Sequence, residues 1–150
     1  MSIKSRIEDA DSLFQLGRKE GALLLVLIAV AATSRKRYSK SKIPHDGEAF
    51  KKFVSEEMSK YAPGWKKNTK VQIEFRGKPL WMPEALYKYV RCELAHEAEL
   101  PEFILFKDEQ DFSFNVSVLN NKELTMSDTI FHYLKKIVID APENADLFDL

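Results

Sequence analysis

Cysteine is almost absent from this 150-residue sequence, in which Cys92 stands alone. A single cysteine excludes an intrachain disulfide framework, and the chain has no Cys-x-x-Cys pair or Cys/His cluster with zinc-site spacing. Motifs of other enzyme classes are missing too: there is no glycine-rich phosphate loop, no Gly-x-Ser-x-Gly and no His-Glu-x-x-His. We therefore expect no metal and no cofactor.

Long hydrophobic runs are also missing. The most hydrophobic stretch, residues 22–32, is eleven residues long. As a helix it would span roughly 16 Å, about half of the hydrocarbon core of a bilayer. It begins too far along the chain for a secretory signal, and acidic residues precede it where a signal would be basic. We expect a soluble, cytoplasmic protein with no membrane partner, in which this stretch forms a central helix buried on all sides.

Net charge is absent as well, since 23 Lys/Arg balance 23 Asp/Glu. The balance hides a division along the chain. Residues 33–91 hold fifteen basic and six acidic residues, whereas residues 92–150 hold four basic and thirteen acidic ones. Two interpretations are open at about even odds. Either the basic part binds an anionic ligand or nucleic acid, or the two parts meet in the fold or in an oligomer.

Apolar residues at helical spacing predict five helices. They cover approximately residues 3–14, 22–37, 46–61, 83–97 and 128–138. Asp46 is the expected cap of the third helix, and Thr125 or Ser127 that of the last. Pro83 suits the first turn of the fourth helix, because proline lacks the amide hydrogen that is unused there.

Alternating apolar and polar residues predict short strands at residues 71–75, 103–106 and 112–118. The last two strands are separated by only a few residues, which favours a hairpin. Residues 140–150 are acidic, and we expect a loose tail there. The predicted fold is therefore mainly α, a bundle of about five helices with a small β-hairpin insertion, in one domain over residues 1–150.

The fourth helix carries the best candidate site, in the segment YVRCELAHE. At about 100° per residue, Leu86, Val90 and Leu94 form a core-facing stripe beside Tyr87. Arg91 and His96 flank a second face, about 140° apart, because five residues separate them. The centre of that face is small, with Ala95 and Cys92.

A helix face with small residues at its centre and polar residues at its edges suits the close approach of a second helix. One helix alone aims Arg91 and His96 apart, but two copies around a two-fold axis would bring both pairs into one cleft. We therefore predict a homodimer through this helix.

The residue types suit phosphodiester chemistry. Arginine offers a permanent charge and a planar fork for phosphate oxygens, and histidine exchanges protons near neutral pH. Lys88, Cys92 and Glu93 lie beside the pair and are candidate binding residues. In the structural alternative, Arg91 forms an ion pair with a neighbouring glutamate and His96 only caps the helix end.

The pattern Tyr-x3-Arg-x4-His-Glu, which closes a helix before a Leu-Pro, resembles the HEPN superfamily of small helical domains. The resemblance spans roughly residues 7–138 in layout and rests on Arg91, His96 and their neighbours. It implies a dimer acting as a metal-independent RNase, in which an RNA 2′-hydroxyl attacks the adjacent phosphate. Arg91 would hold that phosphate and His96 would act as acid or base.

The residue after the arginine is commonly Asn or another polar residue in active HEPN members, and here it is Cys92. This departure keeps an alternative open: a non-catalytic HEPN-like interaction or regulatory module with an antitoxin-like partner.

Two further basic segments are candidates for RNA contacts. One is the cluster Arg35, Lys36, Arg37, Lys40 and Lys42, for which a solvated helix end is the favoured alternative. The other is Trp65 among lysines, for which we favour a loop anchor over base stacking.

Overall fold

The computed structural model describes residues 2–61, 72–107, 116–119 and 123–149. Its helices are α1 (Ile3–Gln15), α2 (Lys19–Arg37), α3 (Asp46–Met58), α4 (Met82–Ala85), a π-helical segment (Leu86–Cys92), α5 (Glu93–Glu97) and α6 (Ile130–Ile139). Its strands are β1 (Gln72–Phe75), β2 (Lys78–Trp81), β3 (Ile104–Lys107), β4 (Val116–Leu119) and β5 (Glu123–Ser127). The predicted fold class, mainly helical with a small hairpin, is confirmed. Trp65 lies outside the described residues.

The helix α2 occupies the centre of the bundle and contacts α1, α3 and α6. Its buried side chains include Val26, Leu27 and Val30. The prediction of burial on all sides is wrong in one respect, since Ile28 is 38% exposed. Within the described ranges, no helix combines the length and apolarity that crossing a bilayer requires.

The helices α3 and α6 pack against α2 through the predicted apolar stripes. In α3 the stripe contains Phe50, Phe53 and Val54, all buried. The predicted cap is off by one residue, because His45 takes the cap position and Asp46 lies inside the first turn. Asp46 accepts a hydrogen bond from Arg35 instead, at 2.6 Å.

The strands form two separate sheets. β1 and β2 pair in an antiparallel hairpin. The hairpin predicted between residues 103–106 and 112–118 is wrong in its pairing: β3 runs parallel to β5, β4 runs antiparallel to β5, and β5 lies between them. Alternation marks which residues form strands but not which strands pair. β5 takes the centre and buries Leu124 and Met126.

Because residues 123–127 form a strand, Thr125 and Ser127 cannot cap the last helix. The helix α6 begins at Ile130, and Thr129 occupies its cap position. The helix still presents the expected apolar stripe to the core.

The C-terminal segment contradicts the prediction of a loose tail. A 3-10 turn spans Pro142–Asn144, and the side chain of Asn144 is fully buried. Its amide donates hydrogen bonds to Thr33 Oγ1 at 3.0 Å and to the Val138 carbonyl at 2.9 Å. A buried amide requires hydrogen-bond partners. Because its partners here belong to α2 and α6, these bonds anchor the C-terminal segment to both helices. Phe148 packs against the core nearby.

Candidate functional site

Residues 82–97 form one continuous helical path that carries the predicted site residues. Pro83 lies in the first turn, as predicted. The path ends where Ala98 adopts a left-handed conformation with φ of 61°. Leu86, Val90 and Leu94 are buried, so the predicted core-facing stripe is confirmed.

The middle of this path, Leu86–Cys92, is π-helical. A π-helix uses i→i+5 hydrogen bonds, so its turn is wider than that of an α-helix, and such turns occur frequently at functional sites. The spacing of 100° per residue that was used to place side chains around this helix therefore does not hold for residues 86–92. Sequence periodicity gave no signal of the π turn, because the apolar residues that flank it keep their helical spacing.

Arg91 lies at the C-terminal end of the π segment and is half-buried. Its guanidinium carbon is 5.3 Å from the centroid of the Tyr87 ring, a cation–π distance. Its Nη1 is 4.0 Å from Cys92 Sγ. Its Nε is buried without a hydrogen-bond partner. The arrangement holds a guanidinium in place while leaving part of its hydrogen-bonding capacity unused.

Tyr87, which supports Arg91, is itself positioned by α3. Its ring centroid lies 5.3 Å from that of Phe50. A Cβ added at Gly47 would stand only 2.9 Å from Tyr87 Cε1, so a glycine is needed where the first turn of α3 meets this ring. Sequence reasoning placed Tyr87 on the core stripe and missed its role under Arg91. The supporting role of Gly47 has no local sequence signal.

The other predicted site residues occupy the outer side of the same helix. His96 lies in the last turn of α5 and is exposed, as are Lys88 and Ala95. Cys92 and Glu93 are half-buried. No hydrogen bond or ion pair joins Arg91 to His96 within this chain, and none joins Arg91 to Glu84 or Glu93 among the described residues.

Beyond His96 the surface is strongly acidic. A surface pocket of about 280 Å³ is lined by Glu93, Glu97, Glu99, Leu100, Pro101 and Glu102. Four carboxylates in one pocket create a negative potential close to the histidine. This acidity disfavours the approach of a phosphate backbone from that side.

The basic cluster that begins in the last turn of α2 is largely engaged in the fold. Arg37 bonds both carboxylate oxygens of Glu143, at 2.7 and 3.0 Å. Lys36 donates to the Glu143 carbonyl at 2.9 Å. The two oppositely charged parts of the chain therefore meet here within the fold, as one of the two interpretations proposed.

Arg35 is also hydrogen-bonded within the fold. It donates to Asp46 and to the carbonyl of Pro44. The hydrogen bond from Arg35 is the main cause that lowers the pKa of Asp46, and the positive charge of Arg91 contributes in the same direction. Of the cluster, Lys40 and Lys42 are exposed.

One comparison with known proteins identifies a family. The model of the family described as Rv1289 matches residues 2–148. The chain belongs to the Rv1289 family. No match was found among curated proteins or among solved structures. The family description names no activity, so the HEPN resemblance stays a prediction for this Rv1289-family chain.

Within the described ranges, no group of three or more His, Cys, Asp or Glu side chains is placed to hold a metal ion. The 82–97 helix carries three groups that could take part in chemistry: the guanidinium of Arg91, the exposed imidazole of His96 and the half-buried thiol of Cys92.

Proposed function

We propose that this protein is a metal-independent endoribonuclease of HEPN type that acts as a homodimer. The observation that carries the proposal is the setting of Arg91. Its guanidinium rests on Tyr87 at a π-helical turn, and no carboxylate among the described residues forms a hydrogen bond or ion pair with it. An arginine that is positioned but incompletely bonded suits the binding of a phosphate oxygen.

On this proposal, a second copy of the chain brings together the arginine and histidine side chains that a single helix holds apart. His96 and Arg91 lie five residues apart, and no hydrogen bond joins their side chains in the described chain. Because Lys88, Ala95 and His96 are all exposed, this face is open to the same helix of a second copy. A two-fold axis along the face would bring both arginines and both histidines to one cleft.

In that cleft each group has one role. Arg91 holds the scissile phosphate and stabilises the negative charge that develops on it. His96 accepts the proton of the 2′-hydroxyl, whose oxygen forms a bond to phosphorus. The bond from phosphorus to the 5′-oxygen breaks, and the partner subunit's His96 returns a proton to that oxygen. The products are a 2′,3′-cyclic phosphate and a 5′-hydroxyl.

The decisive experiment measures cleavage of a fluorescent RNA in the presence of a chelator. We expect cleavage by the native protein and none by the Arg91→Ala/His96→Ala variant, with circular dichroism confirming that both are folded. Arg18→Ala is the matched control, since Arg18 is exposed and lies before α2. Cleavage that survives in the double variant would remove the proposed site.

The dimer is tested separately through Ala95, which is exposed in the single chain. Ala95→Arg places a bulky charge at the centre of the proposed contact and should convert a dimer into a monomer in sedimentation experiments. Thermal unfolding of the isolated chain should change little, because the substitution touches no buried residue. A native protein that is monomeric at high concentration would refute the shared cleft.

A second function is favoured by one specific observation. The acidic pocket lined by Glu93, Glu97, Glu99 and Glu102 suits a basic protein segment better than RNA. On this proposal the chain is a non-catalytic interaction module with an antitoxin-like partner. Absence of cleavage from a well-folded native dimer, together with binding to a basic partner that Glu97→Lys/Glu99→Lys abolishes, would favour it.

A further inference from the structure

We infer that a cleft between the β1–β2 hairpin and the 82–97 helix binds the phosphate group of a nucleotide ligand. The cleft has a volume of about 360 Å³. Three cations line it, Arg76, Lys78 and Lys88, together with Phe75, Tyr89 and one carboxylate, Glu84. This cleft shares Lys88 with the face proposed for the dimer contact, but it contains neither Arg91 nor His96.

The first argument concerns the backbone at Arg76. The hairpin turns through Arg76 and Gly77, whose φ angles are +54° and +75°. Two positive φ angles are typical of a type I′ turn, in which Asn and Gly are strongly preferred at the two positions. An arginine is disfavoured in this region because its Cβ crowds the backbone. Local stability alone would therefore favour another residue.

The second argument concerns where this arginine points. Its guanidinium carbon is 4.2 Å from the centroid of Phe103 and 5.2 Å from that of Phe75. Both distances allow cation–π contacts, which place the guanidinium beside the rings of Phe75 and Phe103. A backbone outlier at a charged residue is the kind of observation from which a functional role is inferred.

The third argument concerns charge. Within the part of the chain that the structure describes, neither Arg76, Lys78 nor Lys88 has an ion pair with a carboxylate. Arg37 and Lys135, by comparison, are each paired with an acidic residue. Against the single carboxylate of Glu84, the lining of the cleft has an excess of two positive charges.

These features suit the binding of a phosphate group. A phosphate presents several oxygens that accept from more than one cation at once, which matches a planar guanidinium beside two flexible ammonium groups. The half-buried ring of Tyr89 provides an apolar wall for the organic part of a nucleotide. A mononucleotide and a single-stranded RNA segment share this chemistry, and the experiment distinguishes them.

Binding is measured by fluorescence anisotropy with a labelled uridine decanucleotide and by calorimetry with AMP. The variant Arg76→Asn/Lys78→Gln/Lys88→Gln removes the three charges while keeping a residue that the turn prefers. The matched control, Lys4→Gln/Arg18→Gln/Lys52→Gln, removes three cations elsewhere. The Arg91→Ala/His96→Ala variant reports whether binding depends on the proposed catalytic pair.

We expect the cleft variant to bind at least about tenfold more weakly than the native protein, and the control and the Arg91/His96 variant to bind as the native protein does. Thermal stability of the cleft variant should be equal or higher. Equal affinity for AMP and decanucleotide would identify a mononucleotide site. Tighter decanucleotide binding, with a salt slope that falls by about 2 in the variant, would identify a nucleic-acid site.

The inference is overturned if the native protein binds neither probe at about 1 mM, or if the control weakens binding as much as the cleft variant does. It is also overturned if the cleft variant binds as tightly as the native protein. Loss of RNA cleavage in the Arg91/His96 variant with unchanged binding would separate this site from the ribonuclease proposal.

Discussion

The replacement of Arg37 by methionine tests how the two oppositely charged parts of the chain are joined. Arg37 Nη1 lies 2.6 Å from Glu57 Oε1, and the Glu57 side chain is only 2% exposed. Burial alone would lower the pKa of Arg37, but hydrogen bonds to Glu143 and Glu57 outweigh it and raise the pKa above its ordinary value. The charged form of this arginine is therefore stabilised by the fold.

The expected loss of stability follows from what remains after the substitution. Removing one partner of a buried ion pair costs about 3–5 kcal/mol. Lys60 still contacts Glu57 at 3.1 Å, and methionine preserves packing against Phe53, whose ring lies 4.7 Å from the guanidinium carbon. We therefore expect the lower end, about 3 kcal/mol. For a domain of this size that corresponds to a fall in Tm of about 6–12 °C.

Urea denaturation at neutral pH measures this loss. The double variant Arg37→Met/Glu57→Leu should regain at least about 1 kcal/mol, because it removes the buried charge as well. Lys136→Met is the control. Lys136 forms a surface ion pair with Asp140 at 2.9 Å, and loss of this ion pair should cost less than about 1 kcal/mol. A cost below about 1 kcal/mol for Arg37→Met, or no recovery in the double variant, would refute the reasoning.

The pH dependence provides a second check on the same contact. The hydrogen bond from Arg37 is the main cause that lowers the pKa of Glu143 below its ordinary value of 4.5. A lowered pKa in the folded state contributes stability that is present above the ordinary value and is lost as the pH falls through the folded one. The difference in stability between the native protein and Arg37→Met should therefore shrink below about pH 4.5. A difference that stays constant down to pH 3 would contradict the assignment.

Three further predictions concern the rest of the fold. Asn144→Ala should destabilise the protein by about 2 kcal/mol in urea denaturation, because the buried acceptors on Thr33 and Val138 lose the donor that Asn144 provides. A cost near zero would show that these bonds do not anchor the C-terminal segment. Ala98→Gly should raise stability by about 1 kcal/mol, since the left-handed helix end favours glycine, and a loss of stability would contradict the cap geometry. Burial, followed by the hydrogen bond to Glu56, raises the pKa of Tyr38 from 10.0 to about 12. Because the pKa is raised in the folded state, the neutral tyrosine contributes stability that is present below pH 10.0 and lost as the pH rises towards 12. The free energy of unfolding of Tyr38→Phe should therefore fall less steeply than that of the native protein over this pH range.

Much of the helical architecture was predictable, because helix periodicity is a property of neighbouring residues. The stripe of Leu86, Val90 and Leu94 predicted both the existence of the 82–97 helix and its buried side. The predicted candidates Arg91 and His96 lie on that helix, one half-buried and one exposed. Whether they act together stays a prediction, since it depends on a second copy of the chain.

The sequence alone determined the helices, the buried stripes and three of the five described strands, since each depends on residues a few positions apart; it missed β2 and β5. Tertiary structure decided the rest. The pairing of β3 with β5, the anchoring of Asn144 to Thr33 and the engagement of Arg37 with Glu143 join residues far apart in the chain. In the π turn that carries Arg91, Tyr87 likewise packs against α3, which is distant in sequence. Local patterns do not encode such contacts, because their free energy arises only when distant surfaces are buried together.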